Sequence, residues 1–451
     1  MSFVSEAPTD VAVQQRPLDP EQRSWLERAW AEVSAEKLAR LDAELVDIPS
    51  PTGEERAVSE FLADHLSQAG LEGIYQPIDE RQGNAVGRLR GSGAGASLLL
   101  YAPIDVAFAG NEAEDVPMIG PRVRRDLQAA SFMEDGCVMG AGAENPKAYA
   151  SCVVAAAEAV ARAGIPLQGT LLVGLGAGGM PTNRRPGLDR YNAGQGNGCS
   201  FMLEQGFRGD FAILAKPGYA VSWEEVGLCW FKVRVKGALN YTGIRHLVPY
   251  RNPIVTAARV IDGLEAWFPE YSKRHTDGLV APQGSVGAIQ GGWTYKPSFV
   301  PSACDLYVDI RIGPRTDPAQ LDYEFSQALA RIQAQNPGLE LEHDMILSLP
   351  GTHTDPQNWI VQSLMRAWES EEGQPHKPIL NTSGATDAAI LRSRGIPTAR
   401  LGLPRFQAPA AYPGFSMGAA SPQAMEKLTR CIVYAVIDTC TRPRAEVGLA
   451  P

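Results

Sequence analysis

Four short segments of the 451-residue chain carry side chains able to do chemistry. They are PIDV at 103–106 with Asp105, GAGAENPK at 140–147 with Glu144, Asn145 and Lys147, LGAGGMP at 175–181, and AKPG at 215–218 with Lys216. By pattern they converge on the carboxyl-terminal strand edge, where ligands of α/β sheets bind. GAGAENPK lacks the strand-then-helix glycine spacing of a dinucleotide fingerprint, and its lysine is not followed by Ser or Thr, so a nucleotide is a poor fit. Lys216 is either a solvated loop lysine or a buried cation paired with Asp105, because buried charges need partners. If desolvated, its pKa would fall, opening base or imine-forming chemistry. Glu144 and Asp387 are each either an acid-base group or a surface or capping acid. Tyr241 either packs or donates its phenol to an oxyanion. Arg245 and His246 lie in a loop, where solvation and ligand contact are both open. Cys137 has no nearby histidine in sequence to activate it.

Composition excludes several function classes. With 44% hydrophobic and 20% charged residues, the chain can bury a large core, and its length points to two domains. A net charge of -10 repels a phosphate backbone, and no basic cluster reverses this locally, so nucleic acid is not an expected partner. No apolar stretch approaches the roughly 20 residues that a membrane span requires. The start, MSFVSEAPTD, has neither a basic segment nor a hydrophobic signal core, so the expected location is the cytoplasm. The seven cysteines are scattered without a C-x-x-C pair, which argues for reduced core thiols rather than disulfides or a cysteine-rich zinc site.

The elements that must position these residues follow from periodicity. Segments 19–45 and 54–71 read as helices separated by Pro49-Ser50-Pro51-Thr52-Gly53. Strands are expected at 84–89, 97–101, 170–175 and 211–215, with helices at 148–163 and 200–205, and this alternation predicts a mainly parallel sheet covered on both faces. From about Val226 the pattern becomes strand 230–235, helix 253–267, strands 285–290 and 303–311, helix 318–334 and strand 339–345. That order is the β-α-β-β-α-β of a ferredoxin-like module. Helix 359–369 and segment 381–403 return to the first style. The expected architecture is therefore an α/β three-layer domain (1–225 and 345–451) with an inserted α+β lid (226–344).

On these motifs the chain, from about Leu38 to Val436, resembles the M20 family of zinc peptidases and amidohydrolases. In that family a His-x-Asp-x-Val turn ends the first strand; here it reads Pro103-Ile104-Asp105-Val106, with the ligand histidine replaced. The family's bridging aspartate corresponds to Asn145, its Asp-Glu-Glu turn to about Ala177-Gly178-Gly179, and its carboxylate before Pro-Thr-Gly to Lys216. The terminal ligand histidine corresponds to 417–421, which holds none, and the lid histidine to Tyr241. None of the six histidines occupies a ligand position by this correspondence. Zinc wants three or four deprotonated N, S or O ligands, so the resemblance implies a scaffold without its metal and no cofactor. The pocket is kept: NTSGATDAAIL at 381–391 resembles the family's substrate loop, which implies roles for Ser383, Gly384 and Thr386, and VDIRIGP at 308–314 places Arg311 by the substrate carboxylate.

Three readings remain open. The first is a metal-independent enzyme acting on a small amino-acid-like carboxylate or amide by hydrolysis, elimination, cyclisation or isomerisation. In it Lys216 supplies the positive charge, Asp105, Asn145, Tyr241 and Glu144 serve the chemistry, and Arg311, Ser383, Gly384, Thr386 and His246 bind substrate. The second is a non-catalytic ligand sensor or regulatory subunit. The third is an amidohydrolase with other metal ligands. The resemblance further implies a homodimer through the lid, or a heteromer with an active paralogue.

Overall fold

The computed structural model describes residues 9–183, 191–412 and 417–450. Its chain divides into two compact units, one comprising Asp10–Trp223, Thr354–Ile379 and Thr386–Pro451, the other Glu224–His353 with Leu380–Ala385. Part of the glycine- and asparagine-rich stretch after Asn183 lies outside the described residues.

The larger unit is built on a six-stranded sheet ordered Ile74–Pro77, Gly83–Leu89, Leu171–Gly176, Leu98–Pro103, Phe211–Ala215 and Thr398–Leu401. The last four strands run parallel, and the first two are antiparallel additions at one edge. Leu98–Pro103, Leu171–Gly176 and Phe211–Ala215 are buried at every position, which explains why they read as continuous apolar runs rather than alternating ones. The alanine-rich helix Tyr149–Arg162 and the C-terminal helix Pro422–Cys440 are buried along most of their lengths, and all seven cysteines are free and buried.

The expected first helix over 19–45 is two helices, Pro20–Trp30 and Ala35–Asp47. Asp19 caps the first with a full capping box, and Ser34 starts the second by accepting from the Lys37 amide. A continuous 3.6-residue periodicity hid that second cap.

In the smaller unit, strands Gly227–Lys236, Gly284–Gln290, Ala303–Ile312 and Leu341–Leu349 form an all-antiparallel sheet. Their spatial order puts the first strand between the third and the fourth, the arrangement of a ferredoxin-like module. The last strand begins and ends later than its apolar run suggested, since Leu341–Leu349 follows the pairing partner Gly227–Lys236 rather than its own hydrophobicity. Helices Pro253–His275 and Pro318–Gln335 pack on this sheet through Trp267, Tyr271 and Phe325, with the Phe325 and Phe231 rings 4.4 Å apart.

One buried ion cluster ties the helix Trp359–Glu372 to the C-terminal helix Pro422–Cys440. Asp438 is fully buried and accepts from Arg366 Nη2 at 2.6 Å, Ser363 Oγ at 2.7 Å and Arg442 Nη2 at 3.0 Å. Removing one member strands the remaining charges in a medium of low dielectric. Asp438→Ala should therefore lose about 3–5 kcal/mol of stability, read as a lowered urea midpoint; an unchanged midpoint would mean that the arginines find water instead.

Candidate active site

At the carboxyl-terminal edge of the sheet, three chain segments are locked together. The strand Leu98–Pro103 leads into Asp105, which is fully buried. Its carboxylate accepts from Thr52 Oγ1 at 2.6 Å, the Gly179 amide at 2.6 Å and the Met180 amide at 2.9 Å. Glu55, also fully buried, accepts from the amides of Gly53 and Gly178, each at 2.9 Å, and from Gln82 Nε2 at 3.1 Å. Two acids thus hold the glycine-rich turn 177–180 by its peptide N–H groups. Burial, and secondarily the charge of Asp105, pushes the Glu55 carboxyl up to about 8.

The turn could not carry larger residues as it stands. Gly178 has a φ of +63°, and a Cβ there would collide with Asn197 Oδ1. A Cβ at Gly179 would run into the Pro103 ring and lie 3.1 Å from Asp387 Oδ2. Proline at 103 and glycine at 179 are sterically matched. Asp387 is buried, accepts from Tyr101 Oη at 2.7 Å and begins the helix Ala388–Ser393, so it is neither a surface acid nor a side-chain cap.

A second group forms around Lys216, the residue after the strand Phe211–Ala215. Lys216 is only 5% exposed, and its Nζ donates to Asn145 Oδ1 at 2.7 Å. The suggested pairing with Asp105 is replaced: Asp105 is held by the hydroxyl and amide donors named above, and the ammonium is oriented by a carboxamide. Asn145 Nδ2 in turn reaches Met417 Sδ at 3.3 Å. Glu144 takes a long hydrogen bond from Tyr149 Oη at 3.4 Å, and burial raises its pKa above the ordinary carboxyl range. Lys147, two residues beyond Asn145, is fully enclosed; its Nζ donates to the carbonyls of Leu45 at 2.6 Å and Ile48 at 2.8 Å, and burial lowers its pKa to about 7.

The remaining candidates are more dispersed. Thr386 Oγ1 accepts from the Ala388 amide at 3.2 Å, a local turn contact. In the smaller unit, Arg311 pairs with Asp309 at 2.8 Å and Tyr241 is 46% exposed beside the Phe299 ring. His246 is exposed, as is Gly384, while Ser383 Oγ is buried with no hydrogen-bond partner among the described residues. Arg245 stacks over Tyr250 at 4.1 Å. Cys137 is buried and its thiol pKa is raised by that burial, which works against the nucleophile reading. Sequence reading missed Glu55, and it named Lys147 without its burial against the helix Ala35–Asp47. Glu55 looked like a first-turn helix acid, and its only signal was the Pro-Thr-Gly preceding it.

At these strand ends Pro103, Gly178 and Gly179 offer no side-chain donor, and Lys216 brings a cation. Among the described residues, no group of three or more His, Cys, Asp or Glu side chains is placed to hold an ion. Nor is any helix among them long and apolar enough to cross a membrane.

The raised Glu55 pKa has a sign that can be checked. A carboxyl ordinarily titrating near 4.5 that titrates near 8 when folded keeps its proton longer in the native state. Stability from this group is full below about 4.5 and is lost as pH rises through about 8. Glu55→Gln should flatten this decline when urea midpoints are compared at pH 5.5, 7 and 8.5 (about these values, spanning the window). A decline that persists unchanged in Glu55→Gln would assign it to another group.

Comparison with known proteins places this geometry in context. Residues 224–337 match the Peptidase dimerisation domain, M20_dimer. The chain is 26% identical over 369 residues to a succinyl-diaminopimelate desuccinylase of Cereibacter sphaeroides, covering 80% of this chain and 90% of the relative. Its fold is similar to that of the dipeptidase Dug1p from Saccharomyces cerevisiae, with a TM-score of 0.70, 11% identity, and coverage of 93% of this chain and 99% of that one. It also resembles YXEP of Bacillus subtilis, a dinuclear metal-binding peptidase from the M20 family, at a TM-score of 0.59 and 14% identity over 90% of this chain and 99% of that one. The fold and the matched inserted domain make this chain similar to M20 peptidases.

Proposed function

We propose that this chain is a metal-independent member of the M20-like scaffold, acting on a small amino-acid-like carboxylate or amide. One observation carries the reading: the buried Lys216 ammonium hydrogen bonds to Asn145, and the family resemblance gives both positions to metal ligands. A fixed cation in a site of low dielectric stabilises negative charge developing on a substrate oxygen, which is the electrostatic service zinc supplies in the family. Asn145 orients that cation. Glu144, whose carboxyl pKa is raised above the ordinary range by burial, is the acid placed beside this pair and suits proton transfer to or from a substrate. The clamped turn 177–180 keeps the strand ends in place. Tyr241, Arg311, His246, Ser383, Gly384 and Thr386 stand as proposed substrate contacts. The match of 224–337 to a dimerisation domain supports pairing of two chains through the inserted unit.

The test is turnover of a panel of N-acyl amino acids and dipeptides by the purified full chain, with and without a chelator. Activity should survive chelation. Lys216→Met should lower kcat by about 10² to 10³, the usual cost of removing one preorganised stabilising group, with an unchanged melting temperature. Activity abolished by chelator and restored by zinc would overturn the reading. Tight binding of a panel member without turnover would move the chain to the non-catalytic reading.

A further inference from the structure

The larger unit contains an open pocket of about 730 Å³, a volume suited to a small organic ligand. It lies beyond the ends of the neighbouring parallel strands Phe211–Ala215 and Thr398–Leu401, and its floor is fixed by close backbone packing: the Gly402 amide donates to the Gly218 carbonyl at 2.8 Å, and Lys216 N to Leu401 O at 3.2 Å. The walls are dominated by Leu403, Phe406, Ile379, Tyr219, Tyr412 and Met417. Among the described residues, two charged side chains join them. Glu144 is the acid, and Arg405 is the cation. Met417 links the pocket to the Lys216–Asn145 pair, because it lines the pocket and its sulfur accepts from Asn145 Nδ2.

The distribution of charge in this pocket is selective. Arg405 is exposed and has no ion-pair or hydrogen-bond partner among the described residues, in a chain whose net charge is -10. A guanidinium left unpaired beside an apolar wall is suited to a carboxylate, which it meets through paired N–H donors. The aromatic and branched walls suit an apolar body, whose surface they would remove from water. Tyr219 is held by Glu372 through its hydroxyl at 2.8 Å, so its ring is a fixed part of the wall rather than a polar contact.

We infer that this pocket binds small monoanions carrying a carboxylate at one end, held by Arg405, and a large apolar or aromatic body against Leu403, Phe406, Ile379 and the two tyrosines. This rests on the proposed function for the catalytic use of Glu144, and names the substrate class of the same site. Glycine-like, dicationic and strongly dianionic compounds are disfavoured, the first for lack of apolar contact and the others for want of matching charge.

The test is binding, so it needs neither turnover nor metal. Calorimetry on the purified full chain would compare N-acetyl-L-phenylalanine, its primary amide and N-acetylglycine. The account expects N-acetyl-L-phenylalanine to bind at least about tenfold more tightly than either of the others, about 1.4 kcal/mol or more. Arg405→Ala, at an exposed position that folding does not depend on, should remove the preference over the amide while sparing the amide's own affinity. Phe406→Ala should narrow the gap to N-acetylglycine. Equal affinities for all three probes, no binding of any, or an Arg405→Ala protein that still prefers the acid would overturn the inference. A chelator-sensitive activity with the binding preference intact would instead overturn the metal-independent reading alone.

Discussion

The constraint on which the larger unit's site depends is the fit of Pro103 against Gly179, with the turn 177–180 hung by its amides from two buried acids. Peptide N–H groups at a strand-end turn are the usual means by which α/β proteins hold an anionic ligand. Here they are consumed internally by Asp105 and Glu55. A side chain at 179 would overlap Pro103, so residue 179 cannot grow unless Pro103 moves. Burial, and secondarily the charge of the nearby Asp105, keeps the proton on Glu55.

Around that rigid centre the chemistry has shifted to one side. Lys216, Asn145, Glu144 and Met417 lie at the border between the sheet edge and the apolar pocket, and they are joined by hydrogen bonds or by adjacency in the chain. Lys216 donating to Asn145, a half-buried acid with a raised pKa and an apolar cavity are the parts on which the proposed acid-base reading draws. The buried Lys147 serves another purpose: its donation to two carbonyls at the end of the helix Ala35–Asp47 fastens the segment that carries Glu144 and Asn145.

Much of the fold was legible in the sequence because burial on both faces leaves a plain signal. Phe211–Ala215 and the α/β alternation followed from continuous apolar runs, and the inserted module from its β-α-β-β-α-β order. The helix break after Trp30 was not, since the apolar stripe continues across it and only Ser34 marks the new start. At the site, Lys216 and Asn145 could be named from motif position, but their contact could not, nor could the partners of Asp105, which are backbone amides 74 and 75 residues away and leave no trace in residue type. Glu55 was hidden for the same reason. Pairings that depend on main-chain donors are the part of a site that composition and periodicity do not encode.

The central claim is that an ammonium group, rather than a metal, provides the positive charge at the sheet edge. It is tested most directly by elemental mass spectrometry of the full chain purified from zinc-supplemented culture and desalted without chelator. The account predicts well below one equivalent of zinc, manganese or cobalt per chain, unchanged in Lys216→Met. One or two tightly held equivalents in the unaltered protein would contradict it.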